Sequence, residues 1–224
     1  MTSCTPRNHG LVFLIVLVVC LILDYATSDA LSFVDLVQTA SVTIVPVIRL
    51  ENIISFLTTL SLLLGIIGFL FLSQLRFIQI LSIAAILSTI SLFLNVAGLL
   101  RTLIDHQVNP ELLLGAAAIV YVSNVLVFTV WYWLLDFESQ QDRSARTAKP
   151  VLVFPQNAAS YSGYEGWTPG LVDYLFLSFH TSSTVGPTDT LVLSKNAKVA
   201  MICQVTVSLI VLVVLAARAI GILR

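Results

Sequence analysis

The stretch LVDYLFLSFHTSSTVGPTD, residues 171–189, decides how the chain is expected to fold. Its first half, 171–180, suits a helix but is shorter than the roughly 20 residues that a membrane span needs. Its second half is rich in hydroxyl groups and contains Gly186 and Pro187, and a long apolar run, 197–222, follows. The pattern predicts a half-helix, a narrow polar turn and a full span. Irregular backbone at membrane depth must be buried in protein or line a cavity, so this segment is the first functional candidate.

Composition places the whole chain in a lipid bilayer. Of its 224 residues 58% are hydrophobic and 10% are charged, and the mean hydropathy is +0.98. Soluble domains carry roughly 25% charged residues. A net charge of −1 without a basic stripe argues against a nucleic-acid partner. We therefore expect a multi-pass integral protein of the cell membrane, inner or plasma.

Apolar runs in the N-terminal region, 1–110, predict spans near 11–28, 53–72 and 77–100. The uninterrupted run from Leu11 to Leu23 resembles a signal peptide, and it also fits a retained first helix, which we favour. Residues 31–48 carry Asp35 and Pro46 and are predicted to form a connecting helix in the headgroup region. The predicted fold class is an all-α integral membrane protein with four or five transmembrane helices and one half-helix.

The C-terminal region, 111–224, is predicted to form a pore-type module. An outer helix, 111–136, ends in Trp131-Tyr132-Trp133, which predicts an aromatic belt at the membrane surface. A polar loop, 137–170, is expected to lack regular structure. The half-helix and turn, 171–190, and an inner helix, 197–222, complete the module.

Catalytic and metal-binding patterns are missing from the sequence. The three cysteines and three histidines are dispersed, and no nucleotide-binding loop, HExxH pair or nucleophile elbow occurs. We expect no metal, no cofactor and no enzymatic activity. The polar residues of the span 77–100 are expected to bond to helix carbonyls or to neighbouring helices; they are Ser82, Ser88, Thr89, Ser91 and Asn95.

The string from Thr181 to Asp189 resembles the filter signature T-x-T-T-V-G-Y-G-D of tetrameric potassium channels. The matching positions are Thr181, Thr184, Val185, Gly186 and Asp189. The resemblance covers roughly the last quarter of the chain, from Trp167 onward. It implies a homo-oligomer, a tetramer if the protein is a channel, that conducts monovalent cations, K⁺ among them. The implied ion pathway consists of Thr181, Ser183, Thr184, Val185, Gly186, Pro187, Thr188 and Asp189.

Two departures from that signature weaken the expected selectivity. A potassium filter uses two glycines to aim backbone carbonyls inward, and Thr188 occupies the second position here. A β-branched residue resists positive φ. Pro187 replaces the aromatic residue of the signature and favours extended geometry at Gly186. We therefore expect weak discrimination between K⁺ and Na⁺.

The C-terminal half is also similar to a family of uncharacterised bacterial multi-span membrane proteins. The shared motifs are W-Y-W-x-L-D at Trp131 to Asp136, F-P-Q at Phe154 to Gln156, V-D-Y-L-[FY]-L-[SA]-F at Val172 to Phe179, and P-T-D at Pro187 to Asp189. This resemblance is longer than the first, but it implies no activity.

Charge counts and the channel resemblance favour opposite orientations. With five spans, seven of the eleven basic residues lie on the side of the loop 137–170, namely Arg7, Arg76, Arg143, Arg146, Lys149, Lys195 and Lys198. The positive-inside rule makes this side cytoplasmic. A potassium-channel pore loop enters from outside, which would make it external. The orientation stays open.

Two functional hypotheses follow from the sequence. The first is a cation pore in which Asp173 and Asp189 attract ions, although a first-turn acid such as Asp173 also suits the dipole of its helix. His180 either titrates near the turn or is a structural histidine. The second hypothesis is a non-conducting scaffold or assembly protein, in which 187–189 form only a stable turn.

Overall fold

The protein is a bundle of long helices with two short strands. The computed structural model describes residues 6–31, 45–104, 110–142, 149–158, 163–164, 166–184, 186 and 189–222. In chain order the elements are α1 (Pro6–Leu31), α2 (Val45–Phe71), α3 (Gln74–Ile104), α4 (Pro110–Asp142), β1 (Leu152–Val153), α5 (Pro155–Ala158), α6 (Leu171–Thr184), β2 (Leu191–Val192) and α7 (Lys195–Ile222).

Within the described ranges, five helices are long and apolar enough to cross a membrane. Their spans are Gly10–Thr27, Ile53–Phe71, Gln74–Arg101, Leu113–Phe137 and Lys195–Ala217. The prediction of an all-α membrane protein with four or five spans is confirmed, and the number of candidate spans is five. Helix α2 begins at Val45, eight residues before its span. Pro46 does not prevent this early start, since the N–H groups of a first helical turn have no partner within the helix and proline lacks only such a group. Most of the predicted connecting helix, residues 32–44, lies outside the described residues.

Helix α4 is the centre of the bundle. It packs against α1 and α3 on one side and against α6 and α7 on the other. The protein buries 56% of the residues of its span, against 33–39% for the other four. Small side chains allow this close packing, since Ala116 and Ala117 are fully buried between neighbouring helices.

Glycines permit the close approach of α2 to its neighbours. A Cβ atom added to Gly65 would lie 2.8 Å from Leu14 Cδ1 on α1, and one added to Gly68 would lie 3.3 Å from Ile80 Cδ1 on α3. The tight reversal between α2 and α3 occupies only residues 72–73. Helices α1, α2 and α3 therefore form one closely packed group beside α4.

The region predicted as an irregular polar loop contains regular structure and buried residues. Helix α4 continues to Asp142, and β1 pairs with β2 in antiparallel register, Leu152 opposite Val192. Leu152 and Phe154 are buried rather than spread over the surface. The apolar side chains of this segment gain more from packing under the loop than from contact with water or headgroups.

The predicted aromatic belt is wrong for two of its three residues. Tyr132 and Trp133 are fully buried, and the Trp133 ring stacks on Phe13 of α1 with centroids 4.4 Å apart. Trp131 is half-buried, and its indole N–H donates to the Thr89 hydroxyl on α3 at 2.8 Å. Three consecutive helical residues point in directions about 100° apart, so they cannot all face the membrane surface.

Candidate functional site

Helix α6 is attached along one half of α4. Near the start of α6, the Tyr174 hydroxyl donates to Asp136 Oδ2 at 2.9 Å, and Asp136 lies at the end of the α4 span. One turn later, Ser178 Oγ donates to the carbonyl of Val125 at 2.7 Å, close to the middle of that span. These contacts align α6 with α4 from the end of the span to its centre.

A buried set of polar residues, which we call the Gln204 cluster, joins α6 to α7 and α4. It consists of Asn124, Tyr132, Ser178, Ser182, Gln204 and Ser208. The amide nitrogen of Gln204 is 2.9 Å from the Ser178 carbonyl oxygen and 2.7 Å from the hydroxyl oxygens of Ser178 and Ser182. Its amide oxygen accepts a hydrogen bond of 2.5 Å from Tyr132. Every polar atom of the fully buried Gln204 side chain is therefore bonded.

Asn124 extends this cluster at mid-span. Its amide nitrogen donates to Ser208 Oγ at 2.8 Å and lies 3.5 Å from Ser182 Oγ. Polar groups without partners are costly in an apolar medium. The cluster therefore holds the last turns of α6 firmly between α4 and α7.

The residues predicted to line an ion pathway divide between the helix and the segment after it. Helix α6 continues to Thr184, so residues 181–184 are helical rather than part of the predicted turn. Their hydroxyls suit a helix, because Thr181 Oγ1 donates to the Leu177 carbonyl and Ser183 Oγ to the Phe179 carbonyl. Thr181 is buried and Ser183 is exposed, so the two side chains do not share one surface.

The later pathway residues are described only in part. Gly186 is half-buried and Asp189 is exposed. Val185, Pro187 and Thr188 lie outside the described residues, so the predicted effect of Pro187 and Thr188 on selectivity stays a prediction.

The two acidic residues proposed to attract cations lie beside one groove. Asp173 and Asp189 line a cavity of about 300 Å³ together with Phe154, Gln156 and Phe176. Asp173 Oδ2 also accepts a hydrogen bond of 2.7 Å from the backbone N–H of Gly170 at the start of α6. Asp173 therefore lies in the first turn of α6, where an acid was predicted to suit the helix dipole, and it also bonds the N–H of the residue before the helix.

His180 packs against aromatic rings on α6. Its ring centroid is 4.2 Å from that of Phe176 and 6.1 Å from that of Phe179. The side chain is half-buried beside these rings. Within the ranges that the structure describes, no group of three or more His, Cys, Asp or Glu residues could hold a metal ion.

A second polar cluster, on a different face of α4, was not predicted from the sequence. Its centre is Asp24, an ionisable residue that is buried within the first span. The sequence contained a signal for this cluster, since an ionisable residue inside an apolar span is rare and usually functional.

Comparisons of the chain with protein families, with curated proteins and with solved structures find no match to any of them.

Proposed function

We propose that the chain is the subunit of an oligomeric, weakly selective cation pore, with α6 as a re-entrant half-helix. The observation that carries this proposal is the depth at which α6 ends. Ser182 Oγ lies 3.5 Å from Asn124 Nδ2 and 2.7 Å from Gln204 Nε2, and these two residues are near the middle of the α4 and α7 spans. The stretch that contains α6 begins at Leu171 and leads to Leu191, and both of these ends lie beside residues bonded near the end of the α4 span.

The entry and exit of this segment support that geometry. Tyr174, near its start, bonds to Asp136, and Leu191, just after it, pairs with Val153 of β1. The backbone N–H of Leu152 in the same strand donates to Asp136 Oδ1 at 3.3 Å. The stretch from α6 to β2 therefore starts and ends beside Asp136, and α6 extends to the middle of the span. This is the course that a pore loop follows.

In this proposal the ion pathway runs along the exposed end of α6 and the segment that follows it. Ser183, Thr184 and residues 185–189 would supply hydroxyl and carbonyl oxygens, and Thr181 would support them from the buried side. The acidic groove beside Asp173 and Asp189 would concentrate cations at the mouth, since clefts of one charge sign raise the local concentration of counter-ions. About four copies would be needed to surround an ion with such oxygens.

A non-conducting scaffold is the second candidate. The observation that favours it is that the Gln204 side chain is fully bonded within one chain. Thr181 and Ser182 are likewise buried inside the subunit rather than directed toward a partner. In this case α6 serves only to fill the space between α4 and α7.

Flux through liposomes distinguishes the two candidates. Purified full-length protein, with its oligomeric state verified by crosslinking, is reconstituted and tested with K⁺ and Na⁺ gradients. We expect flux of both ions above that of empty liposomes. The variant Asp189→Asn should conduct more slowly because the mouth loses a negative charge, whereas the matched control Asp142→Asn, at the end of α4, should not. Flux at the level of empty liposomes from a verified oligomer would exclude the pore and leave the scaffold as the remaining candidate.

A further inference from the structure

We propose that the cavity beside Asp24 binds one small monovalent cation, Na⁺, between α1, α2, α3 and α4. This site lies on a different face of α4 from α6 and does not depend on the proposed pore. The polar residues that line the cavity are Asp24, Thr58, Ser88, Ser91, Asn95 and Ser123, each within one of the apolar spans. The cavity has a volume of about 20 Å³.

Among the described residues that line the cavity, Asp24 is the only acidic or basic one, and hydrogen bonds fix the position of its carboxyl group. Its Oδ2 accepts from Ser55 Oγ at 3.0 Å, and its Oδ1 accepts from Asn95 Nδ2 at 2.7 Å and from the Ser91 hydroxyl. None of the residues that line the cavity carries a positive charge. A buried anion without a cationic partner is costly inside a membrane, and a bound cation would remove this cost.

Three further oxygen atoms around the cavity are buried and have no hydrogen-bond partner in the part of the chain that the structure describes. They are Ser88 Oγ, Asn95 Oδ1 and Ser123 Oγ. Their side chains are 7%, 5% and 9% exposed. Buried polar atoms nearly always have partners, so three orphaned oxygens around one cavity indicate a missing ligand.

The donor set selects the class of ligand. One carboxylate, one amide oxygen and several hydroxyls are oxygen donors of the kind that hard cations prefer. A single negative charge balances one monovalent cation rather than a divalent one. The volume is close to that of one water-sized sphere, which suits an ion as small as Na⁺ without its hydration shell.

Equilibrium binding of radioactive Na⁺ to the purified full-length protein in detergent tests this site. We expect saturable binding of one ion per chain, competed by unlabelled Na⁺ but not by N-methylglucamine. The variants Ser88→Ala and Ser123→Ala should each weaken binding about tenfold, because each removes an oxygen from a charged ligand. Asp24→Asn should abolish it. The matched control Ser82→Ala, on the same helix as Ser88, should not change it, since Ser82 Oγ donates to the Ile78 carbonyl outside the cavity.

Two results would overturn the proposal. One is the absence of saturable Na⁺ binding by the folded wild-type protein, which would mean that the cavity holds only an ordered water molecule. The other is equal Na⁺ affinity in the wild type, Ser88→Ala and Ser123→Ala. If Asp24→Asn does not fold, the two serine variants still decide, because their hydroxyls form no hydrogen bond with the residues that the structure describes. The assay involves no flux, so it can fail or succeed independently of the pore.

Discussion

The two polar clusters that meet α4 differ in how the side chains at their centres are bonded. Ser123 faces the Asp24 cavity, and the next residue, Asn124, faces the Gln204 cluster. The Gln204 side chain bonds with every polar atom it has, and Asn124 Oδ1 is the one buried side-chain atom of its cluster without a partner among the described residues, whereas three oxygens around Asp24 have none. A side chain with all its polar atoms bonded holds helices together, and several unpartnered oxygens around one cavity suit a ligand. Burial of polar groups alone does not separate these two roles.

The largest expected effect is the loss of the Gln204 side chain, whose polar atoms are all bonded. Gln204→Leu leaves Tyr132, Ser178 and Ser182 with one partner fewer in an apolar environment, so the free energy of unfolding should fall by about 2–3 kcal/mol. Titration with a denaturing detergent measures this change. Thr206→Val is the matched control, because this exposed hydroxyl on the same helix donates only to the Ile202 carbonyl. Equal stability of the two variants would refute a holding role for the cluster.

An intermediate loss of stability is expected when a side chain that donates a hydrogen bond to Asp24 is removed. Ser91→Ala removes a hydroxyl that donates to the Asp24 carboxylate. Hydrogen bonds to charged groups are the stronger kind, so the protein should lose about 1.5 kcal/mol of unfolding free energy. The same detergent titration, carried out without Na⁺, gives the value. A loss no larger than that of Ser82→Ala would show that the carboxylate does not need this donor.

The smallest effect is expected at the unpartnered oxygens. In buffer without Na⁺, Ser88→Ala should change the free energy of unfolding by less than about 0.5 kcal/mol, because its hydroxyl forms no bond with the described chain. The contrast with Ser91→Ala, one helical turn away, is the informative quantity. A loss at Ser88 as large as that at Ser91 would remove the distinction between bonded and open oxygens in this cluster.

Much of the fold could be predicted from the lengths of the apolar runs. Five spans, the tight reversal at 72–73 and the close packing at Gly65 and Gly68 follow from sequence features that act locally. The sequence also predicted that the hydroxyls of the third span bond within or between helices. Ser82 and Thr89 do so, with the Ile78 and Ala85 carbonyls respectively, and Ser91 and Asn95 bond to Asp24 on α1. The prediction is wrong for Ser88, whose hydroxyl has no partner among the described residues.

Only the part of the Asp24 cluster that lies on α3 could be predicted from the sequence. Ser88, Ser91 and Asn95 have the spacing i, i+3, i+7, which places them on one face of α3. What that face meets depends on how α1 and α4 pack beside it, and no local pattern contains this information. The burial of Tyr132 and Trp133 has the same origin, since an aromatic residue at the end of a span suits both a membrane surface and a protein core.

The position of the long polar region could not be predicted for a different reason. Its pairing joins residues far apart in sequence, Val153 with Leu191, and a two-residue strand has too little sequence pattern to be recognised. The extension of α6 to Thr184 depends on hydroxyls that bond back to helix carbonyls, a choice that Ser and Thr make in turns as readily as in helices.

The adjacency of Ser123 and Asn124 has a mechanical consequence for α4. Neighbouring helical residues point about 100° apart, so turning α4 about its axis would withdraw Ser123 from one cluster and Asn124 from the other at the same time. Resistance to rotation comes from the bonded or packed residues on the two flanks, Asn124 against Ser208 of α7 and Trp133 stacked on Phe13 of α1, since the Ser123 hydroxyl has no partner among the described residues. Helix α4 is therefore restrained against rotation from both neighbours, while Ser123 can face a ligand without giving up a bond.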